Sequence, residues 1–204
     1  MKVLVTGGNG FLGRAVVGEL LARGHTVRSA SRRPSPALDA LGVRTLTCDL
    51  RNSEHVDRAV QGQDAVVHTA ALTGLAGARG DFVRTNVEGT RAVVAACKTH
   101  GVARLVHTSS PSVVFDGRNH RGADESLPYP RRYLAAYPET KALAEREVLA
   151  ANGPRLATLA LRPHLILGPG DAQLLPRLVA RARTGELAIV GGGHNQISFT
   201  WIEN

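Results

Sequence analysis

The octet Thr6-Gly7-Gly8-Asn9-Gly10-Phe11-Leu12-Gly13 stands between a short apolar run, Lys2-Val3-Leu4-Val5, and a stretch of helical period over 11–23. It satisfies Gly-x-Gly-x-x-Gly and Gly-x-x-Gly-x-x-Gly at once. Glycines at this spacing permit a tight strand-to-helix turn and close packing of helix on strand. They also let backbone amides approach a pyrophosphate at the helix N-terminus. A lone glycine triplet is equally a flexible turn. With a strand before it and a helix after it, at the head of an alternating chain, it reads as a dinucleotide loop in which Gly7, Gly10, Phe11, Leu12 and Gly13 approach the ligand.

The alternation continues. Apolar runs of strand length fall at 2–6, 26–31, 44–48, 65–69, 104–108 and 156–162, with helical periods at 11–23, 53–61, 81–100 and 133–151. Gly24 and Gly101 stand where helix C-caps are expected. This pattern predicts an α/β fold, a Rossmann-like doubly wound parallel sheet with helices on both faces and ligands beyond the carboxyl ends of the strands. Past Pro169 the pattern changes to a helix near 174–184, a short strand at 187–190, a turn at Gly191-Gly192-Gly193 and a last strand at 197–202. We therefore expect a dinucleotide-binding domain over 1–170 and the start of an incomplete substrate lobe over 171–204.

The end of the second strand bears on the choice of dinucleotide. An NAD site usually carries a carboxylate there, about twenty residues past the glycines, for the ribose hydroxyls. This chain reads Arg28-Ser29-Ala30-Ser31-Arg32-Arg33. Two adjacent guanidiniums would bind a 2′-phosphate by charge-assisted hydrogen bonds, so NADP(H) is favoured over NAD(H), with Arg32 first and Arg33 next. The alternative is a pair of arginines that only solvate a loop. Asp49-Leu50 ends the third strand, where a carboxylate could accept the adenine amino group, and His68-Thr69-Ala70-Ala71 ends the fourth with small residues that admit a cofactor.

Tyr137 and Lys141 stand four residues apart, on one face of a helix. An ammonium beside a phenol favours phenolate and lowers the tyrosine pKa from about 10, which would make the hydroxyl a usable proton donor or acceptor. The spacing is common by chance, and its weight comes from its place after the glycine loop. Pro138 follows Tyr137 directly, and because proline is tolerated only in a first turn, Tyr137 belongs near the helix start.

Composition narrows the partners. The net charge of +8 comes from 22 Arg and 3 Lys spread along 204 residues, with no basic block and few aromatics for base stacking. Anionic small ligands fit better than nucleic acid, which has no support here. Cys48 and Cys97 form no Cys-x-x-Cys pair and have no histidine cluster beside them, so no metal site is expected and a reduced, cytoplasmic setting fits. No apolar stretch has the length of a membrane span.

Taken in order, the glycine loop, Asp49-Leu50, His68-Thr69-Ala70-Ala71, Thr85-Asn86-Val87-Glu88-Gly89-Thr90, Thr108-Ser109-Ser110, Tyr137-x-x-x-Lys141 and Arg162-Pro163-x-x-x-x-Gly168-Pro169 resemble an extended short-chain dehydrogenase/reductase. Thr108 to Gly117, Leu161-Arg162-Pro163-His164, Gly168-Pro169-Gly170-Asp171 and Phe199 to Asn204 resemble its 3β-hydroxysteroid dehydrogenase branch. That branch includes sterol-4α-carboxylate 3-dehydrogenases and bacterial 2-alkyl-3-oxoalkanoate reductases. The bacterial reductases are the nearer match through Gly122-Ala123-Asp124-Glu125 and Leu174-Leu175-Pro176-Arg177-Leu178.

The resemblance implies an oxidoreductase interconverting a secondary alcohol and a ketone on a bulky apolar keto or hydroxy substrate. Tyr137 would exchange the proton, Lys141 would hold the nicotinamide ribose, and Ser110, preferred to Ser109, would bond the reacting oxygen. Asn86 would serve structure or proton relay. Pro163 and Leu165 would meet the nicotinamide end, while His164 reads equally as a packed histidine. Extended members run on for roughly a hundred residues more, so the pocket roof is expected to be missing or supplied by another chain, and uncovered apolar surface would favour association such as a homodimer. Two other functions stay open: a nucleotide-sugar epimerase or dehydratase, against which stand Pro111-Ser112 where those dehydratases resemble one another in an Asp-Glu pair, and a non-catalytic dinucleotide-binding module.

Overall fold

The structure, a computed structural model, describes residues 1–74, 77–172, 174–189 and 192–204. Its backbone divides into two compact units, Met1–Arg162 and Pro163–Asn204. The first holds a six-stranded sheet of order β3-β2-β1-β4-β5-β6, parallel throughout. The strands are β1 (Lys2–Thr6), β2 (Thr26–Ser31), β3 (Arg44–Thr47), β4 (Ala65–His68), β5 (Arg104–Thr108) and β6 (Ala157–Leu161). Strand order reverses between β1 and β4, which opens a crevice at their carboxyl ends.

Side chains alternate across the pleat, so consecutive residues of β1 feed two different cores. Leu4 joins a cluster with Val56, Ala59 and Val60 of α3 (Ser53–Val60) and Val93, Ala96 and Cys97 of α5 (Gly89–Thr99). Val5 joins Val17 of α1 (Phe11–Ala22), Val27, Leu38 of the short α2 (Pro36–Asp39) and Val43. Helix α3 is closed at both ends by side chains. Asn52 accepts from the backbone N–H of Glu54 and His55 (3.0 and 3.2 Å), and Arg28 donates to the carbonyls of Ala59 and Gln61 (2.8 Å each).

Two helices differ from the sequence expectation. The segment expected as one helix over 81–100 is α4 (Arg79–Phe82), a π-helical turn at Val83–Glu88, and α5. The helix expected from 133 is α6 (Ala136–Ala150). Pro138 explains the shortening, because its ring would clash with the Leu134 carbonyl if the helix began earlier, whereas at the third position its missing N–H is one that no helix satisfies.

In the second unit, β7 (Leu165–Leu167) pairs in parallel with β8 (Phe199–Trp201), and α7 (Leu174–Arg183) begins where Asp171 accepts from the N–H of Leu174 and Leu175 (3.1 and 2.9 Å). The strand expected at 187–190 does not form over 187–189, and Val190 and Gly191 lie outside the described residues. β7, which the apolar pattern did not mark as a strand, supplies the partner for β8. Among the described residues no helix is long and apolar enough to cross a membrane.

Glycine spacing in α1 gives a direct test. A Cβ on Gly13 would lie 2.1 Å from the Gly7 carbonyl oxygen and 2.7 Å from Gly8 Cα, while one on Gly18 in the same helix would meet nothing within 4 Å. Gly13→Ala is expected to cost about 1–3 kcal/mol through forced backbone movement. Gly18→Ala should stabilise by about 0.5–1 kcal/mol through helix propensity. Urea unfolding of the two variants measures both, and equal effects would refute the close-approach account.

Candidate active site

The glycine loop is built from backbone approaches that no side chain would allow. Gly7 has φ +74° and donates its N–H to the Ala30 carbonyl (2.7 Å), and a Cβ there would lie 2.9 Å from the N and Cα of Ala70. Ala70 thus lines the loop with its backbone, held by Thr6 Oγ1 (3.4 Å). A Cβ on Gly8 would come within 2.3 Å of Ser29 Oγ. Gly10 is the N-cap of α1 and brings no capping side chain, so the first amides, including those of Phe11 and Leu12, find no acceptor within the helix itself. A pyrophosphate fits this cradle: its glycines bring no side chains of their own, and the helix dipole adds favourable charge.

Asn9, inside the loop, does work that its sequence neighbourhood hid. Its backbone N–H donates to Ser31 Oγ (3.2 Å), and its side-chain amide donates to the carbonyls of Arg33 and Pro34 (2.8 and 3.2 Å). These bonds fix the exposed Arg32-Arg33 segment against the glycine loop. Arg28, from the same basic run, is instead committed to α3. The Asp49 carboxylate is largely taken by Arg51, whose Nε contacts both oxygens at 3.0 Å and whose Nη2 lies 2.6 Å from Oδ2. That partner holds Asp49 below the usual carboxylate range. Leu50 is buried, and Gly89 of α5 leaves room for it, since a Cβ there would lie 2.8 Å from Leu50 Cβ.

Beyond β5, Ser109 is buried, and its N–H donates to the Leu161 carbonyl (2.6 Å), while Ser110 is half-buried and lies close enough to Tyr137 to act on its phenol. Ser110 also caps the 3₁₀ turn Pro111–Val114, with its Oγ 2.9 Å from Ser112 Oγ. Tyr137 and Lys141 lie one turn apart on α6. The electrostatics differ from the sequence expectation. Burial raises the Tyr137 phenol above its usual range, and the neighbouring Ser110 hydroxyl opposes this only in part. Lys141 does not depress it here, because its Nζ donates to the Thr108 carbonyl (2.5 Å) and lies 3.2 Å from His107 Nε2. Burial lowers Lys141 to about 8, with Glu145 opposing.

Of two supports of this arrangement, the sequence marked Asn86 and hid Glu145. Glu145 is fully buried one turn beyond Lys141, where it accepts from Tyr129 Oη (2.6 Å) and from Arg162 Nη2 (2.6 Å) and Nε. Burial works to raise its pKa, and the Arg162 and Tyr129 bonds outweigh it, leaving the carboxyl depressed. The Lys-x-x-x-Glu spacing was the available signal, but it reads as an exposed ion pair until burial is known. Asn86, in the π turn, accepts from the Leu72 N–H (2.7 Å) and donates to the Leu72 carbonyl (3.0 Å) and Thr140 Oγ1 (3.2 Å). It thereby ties the segment after β4 to α6. Pro163 and Leu165 belong to the second unit, where Leu165 opens β7.

The sequence profile of the 3-beta hydroxysteroid dehydrogenase/isomerase family matches residues 4–204. The chain belongs to this family. Across its whole length it is 49% identical to a 2-alkyl-3-oxoalkanoate reductase of Stenotrophomonas maltophilia, covering 62% of that protein. It is 40% identical to the human decarboxylating sterol-4-alpha-carboxylate 3-dehydrogenase, covering 100% of this chain and 55% of that one. Among solved structures, MoeE5 in complex with UDP-glucuronic acid and NAD superposes with a TM-score of 0.82 at 34% identity, over 99% of this chain and 68% of that one. The chain therefore spans a little over half the length of these two family relatives.

The Glu145–Arg162 pair sets the stability expected of this family member. Glu145→Ala leaves a guanidinium and a phenol without their shared acceptor and should cost about 3–5 kcal/mol. Glu147→Ala on the same helix breaks only the exposed pair with Arg91 and should cost less than about 1 kcal/mol. Chemical unfolding at neutral pH compares them. Since Glu145 is depressed in the fold, its contribution is present above the unfolded carboxylate pKa of about 4.3 and fades as pH falls through the folded value. The advantage of the parent over Glu145→Gln should therefore shrink below about pH 4.

Proposed function

We propose that the chain carries the cofactor and proton-transfer machinery of an NADP(H)-dependent oxidoreductase that interconverts a secondary alcohol and a ketone on a bulky apolar substrate of the 3-oxoalkanoate or sterol type. The observation that carries this reading is the convergence of Ser110, Tyr137 and Lys141 beyond β5, on the same carboxyl edge as the glycine cradle after β1. Bound there, the dinucleotide supplies a hydride to the carbonyl carbon. Tyr137, held protonated at neutral pH by burial, gives its phenolic proton to the carbonyl oxygen as that carbon is reduced, and Ser110 donates a hydrogen bond to the same oxygen. Lys141 presents its ammonium to ribose hydroxyls. Pro163 and Leu165 belong to the nicotinamide end in this reading.

The preference for NADP(H) rests on Arg32 and Arg33, on the absence of a carboxylate from 28–33, and on the Asn9 bonds that fix their backbone. The reading carries with it a cytoplasmic enzyme for a small apolar ligand. It also includes self-association as a homodimer, consistent with exposed apolar side chains such as Leu159 and Leu161 of β6. A second reading, a nucleotide-sugar enzyme retaining NAD, is favoured by the likeness to MoeE5, which was solved with NAD and UDP-glucuronic acid. NAD retained through purification would support it.

The test follows NADPH and NADH oxidation with 2-alkyl-3-oxoalkanoates and 3-ketosteroids. Tyr137→Phe should abolish turnover while leaving cofactor affinity near the parent value, and undiminished turnover would remove Tyr137 as the proton donor. Arg32→Ala should lower NADPH affinity about ten- to a hundredfold and leave NADH nearly unchanged. The pH dependence should differ by direction. Ketone reduction needs the phenol and alcohol oxidation the phenolate, so with the phenol raised, reduction stays level through neutral pH and oxidation climbs toward alkaline pH.

A further inference from the structure

Beneath Tyr137 and Lys141 lies a buried polar string that the proposed chemistry does not use. His68, at the end of β4, is fully buried between two hydroxyls, its Nδ1 2.7 Å from Thr6 Oγ1 and its Nε2 3.0 Å from Thr90 Oγ1. Its ring centroid lies 5.2 Å from that of His107, tilted by 34°. His107, on β5, is 1% exposed. Its Nε2 is 3.2 Å from Lys141 Nζ, and its Nδ1 has no hydrogen-bond partner among the described residues.

The bonding roles follow from what each group has to give. An ammonium only donates, so in its contact with Lys141 the imidazole Nε2 accepts and the ring proton sits on Nδ1. That tautomer leaves a buried N–H without an acceptor, a cost the fold bears at a position where an apolar side chain would bear none. Lys141 directs two of its three ammonium hydrogens to β5, one to His107 and one to the Thr108 carbonyl. An ammonium held by one acceptor still turns about its Cε–Nζ bond, whereas one held by two does not, and its remaining hydrogen points in a single direction.

We propose that His107 is a positioning residue for Lys141: its Nε2 and the Thr108 carbonyl together lock the ammonium so that the third hydrogen is offered to a ligand hydroxyl. The inference rests on the reading that Lys141 serves the cofactor ribose, and it goes beyond that reading by assigning the orientation of Lys141 to a histidine outside the Ser110, Tyr137 and Lys141 set. The groups that face Lys141 are His107 and Thr108 from β5, His68 from β4 behind His107, and Tyr137 and Glu145 from α6, with Glu145 itself bound to Arg162. Both histidines are held neutral by burial, reinforced by the charge of Lys141, so they accept without competing for that charge.

The chain has only three lysines, Lys2, Lys98 and Lys141, so lysine side-chain NMR of the ligand-free protein resolves the question directly. Lys141→Met assigns the signal. In the parent, Lys141 should titrate near 8. In His107→Leu the ammonium loses an acceptor, and Lys141 should titrate about one pH unit lower. His107→Gln, which places an amide oxygen near the Nε2 position, should restore the parent value. His107→Asn, whose shorter side chain reaches only the Nδ1 position, should behave like His107→Leu, and it stands in if the leucine variant melts early. NADPH binding is measured in parallel. His107→Leu should weaken it about tenfold in the parent background and add little in Lys141→Met. If Lys141 titrates alike in the parent and in the Leu and Asn variants, or if the two losses of affinity simply add, the positioning role is wrong. If Lys141→Met leaves NADPH affinity unchanged, the ribose role of Lys141 fails instead, while the titration still decides whether His107 holds the ammonium.

Discussion

Helix α6 turns two charges inward. Lys141 and Glu145 lie on the face that carries Ala144 and Val148 into the core, where ionised groups are tolerated only if hydrogen-bonding partners stand in for the lost water. The fold meets this demand from the two strands beside the helix. β5 supplies the Thr108 carbonyl and His107 for the ammonium, and Arg162 after β6, with Tyr129 from the preceding loop, serves the carboxylate. The placement of Tyr137 follows, because a helix pinned at two points along one face cannot rotate or slide without exposing an unpaired charge.

This constraint explains which parts were legible in the chain. The sheet was legible because a parallel sheet needs continuous apolar runs and close-packing glycines, both local in sequence. Gly7, Gly10 and Gly13 announced a turn whose tightness is now visible in a carbonyl 2.1 Å from where a side chain would begin. The α6 boundary was partly legible, since Pro138 already required Tyr137 to sit in the first turn. The π turn at Val83–Glu88 was not, because nothing in Val83-Arg84-Thr85-Asn86-Val87-Glu88 departs from ordinary helical period. It widens the backbone where Asn86 must reach both Leu72 and Thr140, a demand set by tertiary position alone.

Among the candidate residues, those whose role is carried by backbone were read more completely than those whose role is electrostatic. Spacing put Tyr137 and Lys141 on one face and suggested that the ammonium would act on the phenol. Burial reversed the direction, and the acceptors that draw Lys141 toward β5 lie 33 and 34 residues earlier in the chain. Asp49 shows the same limit, since its neighbour two residues on, Arg51, claims the carboxylate that was read as facing a ligand. Charge patterns in sequence identify which groups titrate, whereas only packing decides which partner each one keeps.

Tyr137 and Lys141 are therefore related less by mutual attraction than by a shared competition for water-free space. Desolvation raises the phenol and lowers the ammonium, and so drives apart two proton affinities that are nearly equal in water. The phenol therefore holds its proton more tightly than the ammonium does, and Lys141, not Tyr137, is the first of the pair to lose a proton as pH rises. Ser110 and Glu145 limit that divergence. Ser110 pulls the phenol back toward its usual range without overcoming burial, and Glu145 does the same for the ammonium, which keeps Lys141 mostly charged at neutral pH beside a protonated Tyr137.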